Sequence, residues 1–99
     1  MKHIVLCTFR GDLTAAELDG VIGGFAALRS LDVVKHLEFG ENVSPEGLDD
    51  GFTHCFQLDF ESAVQRDAYL VDPTHLAFVD ILKPALQRIL VVDYAPTTS

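Results

Sequence analysis

The sequence has few basic residues. Lys and Arg together number 7 of 99 residues, against 15 Asp and Glu, and the formal net charge is −8 at pH 7. Proteins that bind nucleic acid or anionic membrane surfaces need clustered Lys and Arg. The composition therefore argues against both kinds of partner, and we assign the excess acidity to solubility.

Cysteine is also scarce, and long apolar runs are absent. Cys7 and Cys55 lie in apolar, strand-like segments without the CxxC spacing of a zinc or thioredoxin-like site. We expect two buried free thiols and no bound metal. No segment approaches the roughly 20 apolar residues of a membrane span. The apolar run after Met1 is too short for a signal peptide before Arg10 follows, so a cytoplasmic protein is expected.

What is present suffices for one folded domain. Hydrophobic residues make up 48% of the chain, enough for a core, and 99 residues is the size of a single domain. No linker or internal repeat divides the chain. Residues 1–99 are therefore interpreted as one domain.

Alternating apolar segments predict strands at residues 3–9, 33–40, 52–60 and 90–94. The first presents two largely apolar faces, one with His3, Val5, Cys7 and Phe9 and the other with Ile4, Leu6 and Thr8. In the third, His54 shares a face with Phe52, Phe56, Leu58 and Phe60. A sheet this small cannot cover both faces alone, so either helices lie on both sides or a second subunit covers one of them.

The first helix is predicted from a capping box, in which Thr14 is followed three residues later by Glu17. Three glycines weaken this helix by roughly 1 kcal/mol each relative to alanine. They are Gly20, Gly23 and Gly24. Two interpretations stay open: they permit close approach of a sheet or ligand, or they are tolerated surface positions.

The remaining helical sequence comes in pieces. Ser62 can cap a helix through Tyr69, and Pro73 suits the first turn of the next helix, which Pro84 interrupts. The resulting β-α-β-β-α-β order is the ferredoxin-like pattern of an α+β fold. Its helices cover one face of the sheet. The bare, apolar opposite face predicts a homodimer in which two sheets close on each other.

Histidine and tyrosine are the candidates for chemistry. Tyr69 and His75 flank a helix break, while His3 and His54 lie on apolar strand faces. If both strand faces lie under the helices, these four side chains form an apolar pocket. There a neutral imidazole can accept a proton, and a phenol can hydrogen-bond a carbonyl that becomes an enolate. The structural alternatives are satisfied core histidines for His3 and His54, a tyrosine at the core edge for Tyr69, and an exposed surface position for His75.

Segments along nearly the whole chain resemble the stress-responsive dimeric α/β-barrel (Dabb) family. In chain order they are Lys2–Leu6, Phe39–Ser44, Gly51–His54, Phe60–Ser62, Asp67–Leu70 with Pro73–His75, and Leu90–Tyr94. The resemblance implies a homodimer of ferredoxin-like subunits that form a central β-barrel.

The resemblance also implies a chemistry. A plant polyketide cyclase of the family closes a linear polyketide by aldol condensation without metal or organic cofactor. The general base in its Pro-x-His motif matches His75, and the tyrosine that orients this base or the substrate matches Tyr69. The histidines of its Thr-His and Lys-His pairs match His54 and His3. A pocket tyrosine on its first helix matches Phe25, which implies a more apolar pocket here.

Three functions therefore compete. The first is cofactor-free proton abstraction or aldol-type cyclisation of a polyketide-like substrate, with His75 as general base. The second is non-catalytic binding of a small apolar ligand in the same pocket. The third is a structural stress-response dimer, which a fully packed region beneath the helices would favour.

Overall fold

The computed structural model describes residues 1–97. Its strands and main helices are β1 Lys2–Phe9, α1 Ala15–Ala27, β2 His36–Glu41, β3 His54–Asp59, α2 Ala63–Leu70, α3 Pro73–Leu82 and β4 Leu86–Tyr94. Single 3₁₀ turns at Leu28–Ser30 and Lys83–Ala85 follow α1 and α3. The predicted ferredoxin-like βαββαβ order, with the second helix in pieces, is confirmed. No helix of the described part of the chain is both long enough and apolar enough to cross a membrane.

The strands form one antiparallel sheet in the order β2-β3-β1-β4. β4 pairs with β1 from Tyr94 opposite Lys2 to Leu86 opposite Phe9. It therefore begins at Leu86 rather than at the predicted residue 90. The segment 86–89 contains two polar residues in succession, so its alternation is weak, and pairing with β1 imposes the extended conformation.

The helices cover the face of the sheet on which the odd-numbered residues of β1 lie. His3, Val5, Cys7 and Phe9 are all buried. They pack in one core with apolar side chains from α1, α3 and β3, among them Phe25, Phe56, Leu58, Phe78 and Leu82. The strand faces that carry His3 and His54 therefore both lie under the helices, which is the condition set for the predicted pocket.

Local hydrogen bonds determine where the helices begin. At the start of α1 the Glu17 amide donates to the Thr14 hydroxyl at 3.1 Å, and the Thr14 amide donates to the Glu17 carboxylate at 2.9 Å. This is the predicted capping box. At α3 the Thr74 amide donates to the Asp72 carboxylate at 2.8 Å, and Pro73 occupies the first turn. These caps set the positions of the side chains that follow them.

The opposite face of the sheet carries no helix. On β4, Leu90 is 45% exposed, Val92 51% and Tyr94 49%. They pair across the sheet with Leu6, Ile4 and Lys2 of β1. The predicted bare apolar face is therefore present.

The two cysteines lie on different faces of the sheet. Cys7 is buried under the helices, where burial raises the pKa of its thiol to about 11. Cys55 lies on the face without helices and is only partly buried. Both thiols are free. The expectation of two buried thiols is thus correct for Cys7 and wrong for Cys55.

Candidate active site

A cavity of about 260 Å³ lies between the helices and the β1–β4 edge of the sheet. All three main helices and the strands β1 and β4 contribute to its wall. The polar residues that line it are His3, Tyr69, His75 and Lys83. The other lining residues are apolar, and they include Phe25 and Phe78. The sequence-predicted residues His3, Phe25, Tyr69 and His75 are therefore brought together around one apolar space.

His75 is held in a single tautomer by the chain that precedes it. Its Nδ1 lies 3.3 Å from the Leu70 carbonyl oxygen. A carbonyl oxygen only accepts, so Nδ1 carries the proton, and Nε2 of the neutral ring has the free lone pair. Burial lowers the pKa of His75 below its ordinary value of 6.5, and the Leu70 carbonyl partly opposes this. At neutral pH His75 is therefore an unprotonated imidazole able to accept a proton.

Tyr69 lies directly beside this imidazole. Its ring centroid is 4.3 Å from that of His75 and 5.9 Å from that of His3. Only 1% of Tyr69 is exposed. Burial raises the pKa of its phenol well above the ordinary value of 10. Tyr69 is therefore a neutral phenol that can donate a hydrogen bond to an oxygen of a bound molecule.

His3 is held by two charged residues that do not line the cavity themselves. Its Nδ1 lies 2.6 Å from one carboxylate oxygen of Asp93, and Arg66 donates from Nη1 to the other carboxylate oxygen at 2.6 Å. The Asp93 carboxylate accepts from Arg66 and from the N–H at Nδ1 of His3, so this nitrogen carries a proton. This Arg66–Asp93–His3 chain holds His3 in one orientation, and His3 is 5% exposed at the cavity wall.

Asp93 and Arg66 are functional candidates that the sequence reasoning missed. Asp93 pairs directly with His3 across β1 and β4, and Arg66 comes from α2. An acidic residue in the otherwise apolar segment 90–94 was the available signal. It could be connected with His3 only once the strand register was known.

Phe25 contributes an apolar wall. Its ring stacks on that of Phe56 at a centroid distance of 3.8 Å and meets the edge of Phe78 at 4.6 Å. Phe25 is 4% exposed. This position therefore supplies only hydrocarbon to the cavity, as the sequence predicted.

The expectation that His54 shares this pocket is wrong. His54 lies on the helix-covered face, as predicted, but β3 pairs it with Cys7 of β1, whereas His3 pairs with Leu58. Four residues along a strand separate two positions by roughly 13 Å. His54 instead packs its ring 5.1 Å from Phe9 and hydrogen-bonds the Thr53 hydroxyl at 2.8 Å. It lines a separate, open groove beside the β2–β3 connection. Alternation predicts the face of a residue but not its position along the sheet.

Metal ligands are not clustered in the part of the chain that the structure describes. Residues 1–97 contain no group of three or more His, Cys, Asp and Glu side chains arranged to hold a metal ion.

Comparison with known proteins connects this arrangement to a family. Residues 1–96 match the Stress responsive A/B Barrel Domain, or Dabb, family. The chain is 34% identical to the stress-response A/B barrel domain-containing protein HS1 of Arabidopsis thaliana, over 99% of this chain and 91% of that protein. It is 25% identical to olivetolic acid cyclase of Cannabis sativa, over 97% of this chain and 96% of the cyclase.

Solved structures share the fold. Hydroxynitrile lyase from Passiflora edulis superposes with a TM-score of 0.93 at 26% identity, covering 99% of this chain and 94% of the lyase. A dimeric protein of unknown function with a ferredoxin-like fold from Bacteroides fragilis superposes with a TM-score of 0.71 at 28% identity, covering 94% and 92% of the two chains. Sequence and fold agree over nearly the whole length, and the chain belongs to the stress responsive A/B barrel domain (Dabb) family.

Proposed function

We propose that this protein is a homodimeric, cofactor-free acid–base catalyst that removes a proton from a small, largely apolar carbonyl compound. The observation that carries the proposal is the contact of the Leu70 carbonyl with His75 Nδ1, which leaves Nε2 unprotonated beside the neutral Tyr69 phenol at the cavity. A base and a hydrogen-bond donor in an apolar space are the two groups that enolisation needs.

The residues divide the reaction between them. His75 Nε2 removes the proton from a carbon next to a carbonyl, and the electron pair of that C–H bond moves toward the carbonyl oxygen. The Tyr69 phenol donates a hydrogen bond to this oxygen as negative charge develops on it. In an aldol-type cyclisation, the enolate carbon then forms a bond to a second carbonyl of the same polyketide-like molecule. The imidazolium of His75 returns its proton to the new alkoxide.

Two relatives support base chemistry on this fold. Olivetolic acid cyclase forms a ring, and hydroxynitrile lyase acts on hydroxynitriles. Breaking the carbon–nitrile bond of a hydroxynitrile begins with loss of the hydroxyl proton, so a positioned base serves this reaction as well. The feature that the two reactions share is the proton acceptor, for which we propose His75.

The cavity volume favours a compact substrate. Sites for drug-sized ligands measure about 300–1,000 Å³, and this cavity measures about 260 Å³. His3, which lines the cavity, would hydrogen-bond a hydroxyl group of the substrate.

The bare face of the sheet supports the homodimer. Ile4 and Leu6 of β1 lie on this face beside three half-exposed side chains of β4. The neighbour from Bacteroides fragilis is described as dimeric with the same fold. A second copy would cover this face and complete a barrel of two sheets.

The proposal is tested with His75→Asn. The asparagine amide can retain the hydrogen bond to the Leu70 carbonyl, but it cannot accept a proton as imidazole does. We expect deuterium exchange of the α-protons of small β-diketones and poly-β-keto thioesters, and turnover of the thioesters, to fall by about 10²–10⁴-fold. His36→Asn is the matched control, because His36 lies on exposed surface of β2. If both variants exchanged and converted these compounds at the wild-type rate, His75 would not be the base.

A non-catalytic binding protein is the second candidate. The predominance of apolar residues in the cavity wall favours it, since apolar contact alone can retain a small ligand. Calorimetry would then show wild-type protein and His75→Asn binding the same compounds, with no exchange or conversion by either.

A further inference from the structure

One glycine of α1 provides the space in which an aromatic side chain of α3 lies. A Cβ atom added at Gly24 would meet Cε1 of Phe78 at 2.6 Å and Cδ1 at 2.7 Å. Gly24 has no left-handed backbone conformation. Glycine is therefore needed here for space and not for backbone freedom.

The Phe78 ring has little room to move away from α1. It is 6% exposed and meets the edge of Phe25 at 4.6 Å. Phe25 stacks in turn on Phe56 of β3, which is fully buried. Packed interiors yield little to an added methyl group. The free volume next to Phe78 is the cavity that it lines.

Gly23, the neighbour of Gly24 in the chain, is different. A Cβ atom at Gly23 meets nothing within 4 Å, and the same is true at Gly20. Of the three helix glycines, Gly24 alone seats a side chain of the cavity wall. Close approach of a neighbouring element therefore explains Gly24, whereas Gly20 and Gly23 are tolerated surface positions.

We propose that Gly24 is a specificity-determining residue of the cavity. Its missing side chain seats Phe78 against α1, and this position of Phe78 sets the largest apolar group that the cavity accepts. The ligands of this site are compact carbonyl compounds with an alkyl or aryl group, because the carbonyl is recognised by the imidazole and phenol and the rest by hydrocarbon. This inference rests on the proposed function for its ligand class.

The test uses aryl alkyl ketones of increasing chain length, from acetophenone upward, titrated into wild-type protein and Gly24→Ala by calorimetry. An added methyl group drives Phe78 into the cavity. A misfit of about one methylene in an apolar pocket changes affinity by about 10–200-fold. We expect Gly24→Ala to weaken the longest ketone that the wild type binds by at least about tenfold, and acetophenone much less.

Gly23→Ala is the matched control. It adds the same methyl group to the same helix without touching Phe78, so all dissociation constants should stay at wild-type values. Equal ketone profiles for Gly24→Ala and Gly23→Ala would overturn the inference.

Two further variants keep the inference testable if Gly24→Ala folds poorly. Phe78→Val removes both atoms that a Cβ at Gly24 would strike, and it should extend binding to longer ketones. The double variant Gly24→Ala, Phe78→Val should match Phe78→Val, since the two positions act through one contact. A ketone profile unchanged by Phe78→Val would also overturn the inference.

The outcomes separate the inference from the proposed function. If the wild type binds no ketone of the series, the inference fails on its ligand class, while proton exchange by His75 is still measured independently. If ketones bind and His75→Asn loses proton exchange but the two glycine variants behave alike, the proposed function stands and the inference alone fails.

Discussion

Replacing Leu90 with aspartate should separate the proposed homodimer into monomers. Leu90 lies on the bare face of the sheet and is 45% exposed in the single chain. Burying a leucine side chain completely contributes about 1.5–3 kcal/mol. Covering the exposed part of Leu90 is therefore worth about 1 kcal/mol in each copy, or about 2 kcal/mol for the dimer.

The introduced carboxylate weakens the dimer further. An unpaired charge buried on an apolar face costs about 3 kcal/mol or more. A dimer of identical copies carries two such carboxylates, which together cost about 6 kcal/mol. With the lost leucine contribution, association weakens by about 8 kcal/mol, which corresponds to about six powers of ten in the dissociation constant. Leu90 does not reach the helix-side core, so the fold of each chain should survive.

Sedimentation equilibrium over a range of protein concentrations measures this change, with circular dichroism to check the fold. Leu48→Asp is the matched control, because Leu48 is 81% exposed in the loop between β2 and β3. It should leave the dissociation constant unchanged. A Leu90→Asp protein as dimeric as the wild type, or a wild type that is monomeric at micromolar concentration, would refute the reasoning.

Three further predictions concern the cavity. Tyr69→Phe should lower kcat/KM about 10²-fold, because one hydrogen-bond donor to a developing oxyanion is lost, and it should change the free energy of unfolding by less than about 1 kcal/mol. Steady-state kinetics measures the first effect and urea denaturation the second. A loss of stability with unchanged kinetics would contradict the role assigned to Tyr69. Asp93→Asn should destabilise the fold by about 2 kcal/mol. The substitution removes the charge-assisted hydrogen bonds that the Asp93 carboxylate accepts from Arg66 and His3, which solvent partly screens. A urea midpoint equal to that of the wild type would show that the Arg66–Asp93–His3 chain is not stabilising. The pKa of His75 is lowered in the folded chain, so the contribution of His75 to the free energy of unfolding is complete above the unfolded pKa of 6.5 and is lost as the pH falls through the folded pKa. The value of kcat/KM should likewise fall as His75 becomes protonated at low pH. A pH–rate profile that rises below pH 6.5 would exclude a neutral His75 as the base.

The sequence by itself determined the architecture. Alternation in the strands, the capping box at Thr14 and Glu17, and the proline at the start of α3 are local signals, and each acts within a few residues. They were sufficient for the order of elements and for a sheet with one face covered by helices and one bare face. Together with the family resemblance, they also indicated His75, Tyr69, His3 and Phe25 as neighbours.

Only the tertiary structure decided how far apart residues on one face of the sheet lie. The register of β1 with β3 placed His54 opposite Cys7 and removed it from the cavity, and the register with β4 placed Asp93 against His3. The packing of α3 on α1 distinguished Gly24 from Gly23. These contacts join residues that are distant along the chain. A periodic sequence pattern predicts which face of a strand or helix a side chain lies on, but not which residue it contacts.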